Sequence, residues 1–553
     1  MAKTKLRFDF WTIITIALVA LFTLFLVYPL ASLFINSFRV ESVNGFTLDN
    51  FTKFFSKKYY YRSLFNSLKL TVCVTIVSIV IGLPLAYFMN FYSIKSKSFI
   101  ETLIIISMMS PNFIGAYSWI LLCGRSGIIT KFFLNTFGIE LPSIYGFSGM
   151  LLVFSLKLYP FIYMYVSGAF KKIDVAVFEA AESLGANNVK RVFNLALPLV
   201  APTSVSAALL VFMNCMADFG TPALIGEGYD VLPTKIYIEF VGESGGSANF
   251  ASAMAILMVA ITAVLFLFQK YYVNKKSYSM SALRPIQPKT IKGFPKFLIY
   301  AFIYILVCLS IIPQLVVIWT SFRKTNLQSF VPGYTFESYT KIFSTAISSI
   351  RNTYVYCAIA LAIIIVLGVL ISYLSVRKRN FVTNALDTLA MFPYIIPGSV
   401  LGITLLLAFN GQGDPLILAG TATILIISLV IRRLAYTLRS SSAILYQISP
   451  SIEEAAISLG DSPFKAFKKV TVKMMLPGIV SGAILSWITL INELSSSVML
   501  YTAKTRTISV AIYNEVIRAS YGTAAALSTI LTVTTILSLM IFFKVSKGKD
   551  ITM

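Results

Sequence analysis

Long apolar stretches alternate with short polar segments along the whole chain. Twelve of these stretches predict membrane-spanning helices, since about 20 apolar residues cross roughly 30 Å of hydrocarbon. Six lie near residues 10–36, 64–92, 99–122, 147–170, 197–220 and 250–270. Six more lie near residues 297–320, 352–376, 385–409, 417–438, 475–500 and 521–543. The third and the tenth are the least regular, because Pro111 and the pair Arg432-Arg433 interrupt their apolar runs.

The second half of the chain repeats the first. One block of matches has an offset of 286 (352 − 66), and it pairs Asn66, Gly82 and Tyr87 with Asn352, Gly368 and Tyr373. A later block has an offset of 275 (454 − 179), and it pairs Lys157, Glu179, Pro202 and Asp218 with Arg432, Glu454, Pro477 and Glu493. A constant offset that changes only at a loop is expected for homologous halves with one unequal loop. The sequence therefore predicts an all-α membrane protein of about twelve transmembrane helices in two homologous six-helix halves.

The boundary between the halves is predicted from a change in composition. Residues 273–296 contain Lys275-Lys276, Pro285, Pro288 and Pro295 and have no sustained apolar period. Such a segment is typical of a flexible linker. We therefore assign residues 1–272 to the first half and residues 297–553 to the second, with a cytoplasmic linker between them.

Overall composition supports placement in a bilayer. Hydrophobic residues make up 57% of the chain, charged residues only 12%, and the mean hydropathy is +0.81. The formal charge of +24 comes from Lys and Arg clusters near both termini, in the loops around 171–191 and 465–469, and in the linker. Short cytoplasmic loops retain such residues, so we expect these parts to be cytoplasmic. The excess charge then reflects topology and attraction to anionic membrane lipid, and nucleic acid is not an expected partner.

Several kinds of chemistry have no support in the sequence. The chain has no histidine, and its five cysteines lie in or beside apolar helices without a Cys-x-x-Cys pair. A metal or redox site is therefore not expected. The dipeptide Gly548-Lys549 lacks the upstream glycine of a phosphate-binding loop, so no ATP site of that kind is expected on this chain. We predict neither catalytic residues nor a bound cofactor.

One short pattern occurs twice, in basic loops at equivalent places of the repeat. The first copy is Glu179-Ala180-Ala181 with Gly185, and the second is Glu454-Ala455-Ala456 with Gly460. A short amphipathic helix with small alanines can press closely into a groove on a partner, and the glycine permits the turn that follows. A single copy would fit an ordinary capped helix equally well. Two copies in matched loops favour a docking role.

These loops resemble those of a known family. Leu195-Ala196-Leu197-Pro198 follows the first copy at the spacing of the EAA motif of MetI-like membrane subunits of binding-protein-dependent ABC importers. The whole chain resembles the fused, double-length type I permeases of the ferric iron, thiamine and phosphonate group. The runs at 217–222 and 492–496 are most similar to the iron(III) members. The second copy departs from the pattern, because Lys473 stands at the position matching Pro198.

The resemblance implies a function and a set of partners. It implies a permease of the bacterial cytoplasmic (inner) membrane that forms the translocation pathway by alternating access. The distribution of Lys and Arg predicts that both termini are cytoplasmic. Two copies of an ABC ATPase subunit would dock on the two loops and use ATP, and an external solute-binding protein would deliver the substrate. Ferric iron is the substrate that the resemblance favours. Import of thiamine, phosphonate or polyamine, or an ion-driven secondary transporter, remain alternatives.

Polar residues within the predicted helices are candidates for the translocation path. Asp218 and Glu493 match each other, as do Lys157 and Arg432, and Asn214 and Asn492 lie nearby. Ionisable groups at bilayer depth usually face a bundle interior or a water path. Snorkelling to the interface or ion pairing between helices would explain the same residues equally well.

Overall fold

The computed structural model describes residues 10–40, 45–109, 112–242, 247–268, 284, 286–326, 329–411 and 414–545. Their regular secondary structure is helical apart from a two-stranded antiparallel hairpin and an isolated bridge between Tyr92 and Lys289. The predicted linker 273–296 lies partly outside the described residues. Its last three residues belong to a helix that begins at Phe294.

The first half contains fourteen helices. They are α1 (Phe10–Phe22), α2 (Tyr28–Ser37), α3 (Asp49–Ser56), α4 (Lys58–Phe91), α5 (Lys97–Met109), α6 (Asn112–Cys123), α7 (Ile128–Phe137), α8 (Phe147–Phe170), α9 (Val175–Ser183), α10 (Asn188–Arg191), α11 (Leu197–Ala217), α12 (Gly220–Ile225), α13 (Leu232–Val241) and α14 (Ala248–Phe268). Single π-helical turns at Thr23–Val27 and Val192–Ala196 join α1 to α2 and α10 to α11.

The second half contains twelve helices and the hairpin. They are α15 (Phe294–Thr320), β1 (Arg323–Asn326), β2 (Ser329–Tyr334), α16 (Glu337–Thr345), α17 (Ile347–Arg377), α18 (Phe381–Met391), α19 (Gly398–Ala408), α20 (Ala422–Gln447), α21 (Pro450–Ser458), α22 (Pro463–Ala466), α23 (Val472–Ile491), α24 (Ser497–Leu500), α25 (Ile508–Ile517) and α26 (Tyr521–Val545). A 3-10 turn at Phe392–Tyr394 follows α18, and a π-helical turn at Phe467–Thr471 joins α22 to α23.

The long apolar helices make this a multi-span membrane protein. Among the described residues, ten spans are long and apolar enough to cross a bilayer, or eleven when α18 and α19 count as one span bent by 113°. Helix α20 is continuous over 26 residues, and its arginines Arg432, Arg433 and Arg439 set it apart from the apolar spans. The third predicted span is divided between α5 and α6, near Pro111, which matches Pro397 at the bend of the ninth. Proline favours such breaks because it lacks an amide donor.

The first helix of each half contacts the opposite half as well as its own, through α14 for α2 and through α26 for α15. Helices α1 and α2 contact α18 and α19, where Trp11 lies against Tyr373 with ring centroids 4.4 Å apart, and Phe25 contacts Phe409. In return, α15 contacts α5, α6 and α8, and Ser310 Oγ donates to Tyr159 Oη at 3.0 Å. The sequence pattern does not predict this exchange. It makes the buried core continuous across the boundary between the halves.

Candidate functional site

The first Glu-Ala-Ala sequence lies on α9. Asp174 caps this helix, because its side chain accepts a hydrogen bond from the backbone amide of Ala176 at 2.9 Å. Phe178 points inward and packs against Phe91 with centroids 5.2 Å apart. Glu179 and Ala180 are exposed. One face of α9 is thus anchored by an aromatic side chain, and the predicted docking face is open.

The second Glu-Ala-Ala sequence lies on α21, which is held by hydrogen bonds and not by an aromatic contact. Glu453 stands at the position matching Phe178 (178 + 275). Its carboxylate accepts hydrogen bonds from Tyr373 Oη and, at 2.7 Å, from Thr471 Oγ1. Glu454 and Ala455 are exposed. The two helices therefore present the same Glu-Ala face, although an aromatic contact holds one and a hydrogen-bonded carboxylate holds the other.

Both helices end in the same turn. Gly185 and Gly460 have φ of +81° and +97°, a left-handed conformation that glycine adopts without strain. The next backbone amide bonds back to Ala181 O at 3.0 Å in one loop and to Ala456 O at 3.1 Å in the other. The turns leave Leu184 and Leu459 88% and 89% exposed. The sequence analysis missed these leucines, although their match in the repeat could have revealed them.

The linker between the halves lies against α9. The backbone of Arg284 donates to Asp174 Oδ2 at 3.1 Å and accepts from the Val175 amide at 3.0 Å, and its guanidinium is 3.2 Å from Glu179. Lys289 exchanges backbone hydrogen bonds with Phe91 and Ser93, and its ammonium is 3.8 Å from Glu182. The described part of the linker therefore contributes basic side chains to the surface around the first Glu-Ala-Ala sequence.

The structure brings two predicted path residues of the second half into an ion pair. Arg432 donates to one carboxylate oxygen of Glu493, and Arg433 donates to the other. The amide and hydroxyl of Ser496 also donate to Glu493, at 3.2 and 3.3 Å. The Glu493 side chain is only 2% exposed. The sequence analysis noted Arg433 only as an interruption of a helix, because its matched position in the first half is Leu158.

The matched residues of the first half have different partners. Lys157 Nζ donates to the carbonyls of Ser107 and Met108 at 3.1 and 2.7 Å. Asp218 Oδ1 accepts from the Thr221 amide at 2.8 Å. Asp218 also interacts electrostatically with Lys157 and, across the boundary between the halves, with Arg432.

The two asparagines of the predicted path differ in their surroundings. Asn214 donates to the Leu210 carbonyl of its own helix at 2.8 Å. Asn492 stands at the C-terminal cap of α23, next to Glu493 in sequence. A role of either residue in transport stays a prediction.

Asp218 and Glu493 both lie near the boundary between the halves, where Asp218 interacts electrostatically with Arg432. A Cβ added at Gly220 would lie 3.0 Å from Leu494 of the opposite half, and one added at Gly398 would lie 1.8 Å from Arg432 Nη1. Tyr394 is hydrogen-bonded to Tyr436 and lies close to Tyr165 of the first half. Charged and phenolic side chains therefore gather at this boundary, and we call Lys157, Asp218, Arg432, Arg433 and Glu493 the boundary cluster.

A cavity of about 280 Å³ lies at the N-terminal end of α4, and its lining includes Lys58, Arg62 and Asp230. Lys235 is 2.8 Å from Asp230, and its ammonium is 3.4 Å from the ring centre of Tyr59. Burial disfavours the charged ammonium, but hydrogen bonds to Asp230 and Tyr59 outweigh it, so the pKa of Lys235 is raised. The loop between α12 and α13 is also held by Asn66, which donates to the Asp230 carbonyl at 2.9 Å.

Both halves of the chain match one known domain family. The sequence profile of the binding-protein-dependent transport system inner membrane component matches residues 78–278 and 364–547. These two matched segments fall in the two halves of the repeat and together cover more than half of the chain. Two copies of one transport-permease domain, carried by apolar spanning helices, define a membrane subunit of an importer. The chain belongs to the family of binding-protein-dependent transport system inner membrane components, and it is a multi-pass transport subunit of the inner membrane.

Individual relatives are similar over most of the chain. The ferric transport system permease protein FbpB of Actinobacillus pleuropneumoniae is 28% identical over 96% of this chain and 77% of its own length. A putative ferric transport system permease protein FbpB 1 of Haemophilus influenzae is 28% identical over 89% of this chain and 78% of its own length. The spermidine/putrescine permease protein PotB of Haemophilus influenzae is 28% identical over 41% of this chain and 80% of its own length.

A chain of the bacterial alginate ABC transporter, crystallised with an alginate pentasaccharide-bound periplasmic protein, matches with a TM-score of 0.41 and 18% identity. The match covers 49% of this chain and 96% of that chain.

Proposed function

We propose that this permease imports ferric iron, with its two ATPase subunits docked on α9 and α21 and a binding protein docked on the opposite face. The observation that carries the docking assignment is the repeated exposed surface, in which Glu179 and Glu454 are exposed and each is followed five residues later by a leucine that is almost fully exposed. Exposed apolar side chains beside a charged residue suit a protein interface. The ferric assignment rests on the relatives that match most of the chain.

We also propose an orientation of the chain in the membrane. Both termini and the loops that carry α9 and α21 are cytoplasmic, and the cavity lined by Lys58 and Arg62 faces outward. The ATPase subunits bind and hydrolyse ATP, while this chain holds no ATP site of its own. Their movement reaches the membrane helices through α9 and α21, and the boundary between the halves opens alternately to the two sides.

Co-purification tests the docking assignment. We expect Glu179→Lys and Glu454→Lys, introduced together, to reduce recovery of a co-expressed tagged ATPase while the permease itself remains in the membrane fraction. A carboxylate at a protein contact is replaced by a cation there, which leaves an unfavourable charge in the interface. Lys473 departs from the motif only in the second half, so the single Glu454→Lys change is expected to be the milder one. Unchanged recovery of the ATPase with the double variant would contradict the assignment.

A transport assay tests the substrate. Proteoliposomes that contain the permease and its ATPase should accumulate ⁵⁵Fe(III) from the charged binding protein only when ATP is supplied. The similarity to PotB over 41% of the chain makes polyamine the second candidate. Labelled spermidine presented in the same assay separates the two. ATP-dependent spermidine uptake without iron uptake would overturn the ferric assignment and leave the importer assignment intact.

A further inference from the structure

The boundary cluster carries an excess of positive charge. Its three cations, Lys157, Arg432 and Arg433, face two carboxylates, Asp218 and Glu493, which gives a formal net charge of +1 (3 − 2). Both carboxylates already accept hydrogen bonds from fixed protein donors. Glu493 accepts from two guanidinium groups and from Ser496, and Asp218 accepts from the Thr221 amide. The cluster therefore offers more donors than acceptors to anything that enters the boundary.

The exposed groups of the cluster are its arginines, and two tyrosines lie beside them, because Tyr436 interacts electrostatically with both arginines and with Tyr165. Arg433 and Arg432 side chains are 17% and 11% exposed, whereas Glu493 behind them is 2% exposed. Tyr165 from the first half is 38% exposed, and Tyr436 from the second half is partly exposed. Guanidinium and phenol groups together form a surface suited to oxygen-rich anions, because Arg donates two parallel hydrogen bonds to a carboxylate or phosphate.

The second arginine is not needed to build a permease half. In the first half α8 packs against α4 and α11, as α20 packs against α17 and α23, and Leu158 occupies the position that matches Arg433. A buried ion group costs solvation energy and is often no better for stability than apolar side chains of similar volume. We therefore attribute Arg433 to binding of a transported ligand and not to stabilisation of the fold.

We propose that the boundary cluster receives iron as a negatively charged complex, in which oxygen-donor anions surround the metal, and not as bare Fe(III). This inference rests on the proposed import of ferric iron. A trivalent cation would be repelled by a net positive site at bilayer depth, where charges are weakly screened. A ferric carboxylate or phosphate complex would instead present anionic oxygens to Arg432, Arg433 and the tyrosine hydroxyls.

A double-label transport experiment on the wild-type complex tests the inference without any mutation. Proteoliposomes are supplied with ⁵⁵Fe(III) and binding protein, once with [¹⁴C]citrate and once with [³²P]phosphate as the only added oxygen-donor anion. We expect iron and at least one of the labelled anions to enter together in a fixed ratio, and the two runs distinguish a carboxylate from a phosphate. Iron uptake in both runs with neither anion would overturn the inference and leave iron import standing. Absence of ATP-dependent iron uptake would contradict both this inference and the proposed import of ferric iron.

Variants of α20 test whether Arg433 binds the transported iron complex. Arg433→Leu copies the first half and should reduce iron uptake by about tenfold or more, as expected for loss of a charged hydrogen bond to the cargo. Arg433→Lys retains the charge and should recover part of the uptake. Arg439→Leu, on the same helix but paired with Asp387 at 3.0 Å, is the matched control and should transport normally. Equal uptake by Arg433→Leu and wild type would contradict the inference.

Discussion

Glu493 shows how one carboxylate can hold two elements together inside a membrane bundle. It stands just after α23 and is bound by two neighbouring arginines of α20, while Ser496 fixes its position. Adjacent residues on a helix diverge by about 100°, so they can share a partner only when it lies between their directions. The carboxylate thus sets the orientation of both guanidinium groups, and its loss would leave two cations without their counter-ion.

We expect Glu493→Gln to lower stability by about 3–5 kcal/mol, the range measured when one partner of a buried ion pair is removed. Size-exclusion profiles and thermal melting of the detergent-solubilised protein measure the loss. Adding Arg433→Leu to Glu493→Gln should restore part of the stability, since one stranded cation is removed. Glu515→Gln serves as control, because its partner Arg518 is 71% exposed and such pairs contribute only about 0–1 kcal/mol. Equal melting of Glu493→Gln and the control would contradict this account.

A second residue-scale prediction concerns Gly398, where the bent pair α18 and α19 meets α20. A Cβ at this position would lie 1.8 Å from Arg432 Nη1 and 2.7 Å from Ser495 Cβ. We expect Gly398→Ala to cost about 1–3 kcal/mol through overpacking and displacement of Arg432. Gly115→Ala on α6 is the control, because an added Cβ there meets nothing within 4 Å. The control should be neutral or stabilise by up to about 1 kcal/mol, and a melting curve of each variant decides.

At the scale of elements, α9 and α21 are alike in sequence and unlike in attachment. Helix α9 is anchored by Phe178 and contacted by the linker, whereas α21 is anchored by Glu453 through Tyr373 and Thr471. Since Tyr373 also packs against Trp11, α21 is connected to the first helix of the opposite half. In the proposed complex, the two ATPase subunits would therefore act on helices that are connected to different parts of the permease.

The linker contact gives a prediction at this scale. Arg284→Glu should place a carboxylate beside Glu179 and loosen the linker, which we would measure as faster tryptic cleavage in the linker of the solubilised protein. The expected change is no more than about fivefold, because exposed ion pairs contribute up to about 1 kcal/mol. Exchange of the two charges, Glu179→Arg with Arg284→Glu, should return the cleavage rate toward wild type. Failure of the exchange to do so would show that the backbone hydrogen bonds, not the ion pair, hold the linker.

The sequence predicts most elements but few of their neighbours. Apolar run length predicts α4, α8, α11 and α17, because a membrane helix satisfies its own backbone. The repeat predicts that α9 and α21 are equivalent. Packing partners follow from side-chain shape, which periodicity does not report, so the exchange of the first helices was not foreseen. The part of Arg433 in binding Glu493 was also missed, since the repeat gives it no charged counterpart.

At the scale of the whole molecule, the exchange of first helices predicts that the halves depend on each other. We expect residues 1–283 or 284–553, expressed alone, to aggregate on solubilisation, because each half then exposes the surface that the missing helix covers. Co-expression of the two pieces should yield a complex that elutes with the intact protein in size-exclusion chromatography. A monodisperse, thermally stable half on its own would contradict this prediction.

The proposed orientation is tested by labelling single cysteines in a variant that lacks the five natural ones. Cysteines at Ala180 and Gly460 should react with a membrane-impermeant maleimide only from the cytoplasmic side. Cysteines at Asp230 and Thr335 should react only from outside, as the distribution of Lys and Arg requires. Opposite accessibility of Ala180 and Gly460 would refute the twofold arrangement.

The exchanged helices also limit how the passage can open. Helices α1 and α2 contact α18 and α19, and α15 contacts α5 and α6, so two straps of helix cross the boundary between the halves. Pulling the halves straight apart would strip Trp11 from Tyr373 and Ser310 from Tyr159, at the cost of buried apolar area and a buried hydrogen bond. Rotation of the halves about these straps would keep both contacts. Two bodies that turn in this way would separate at one face of the membrane while they approach each other at the opposite face, so this motion would not open a passage to both sides at once.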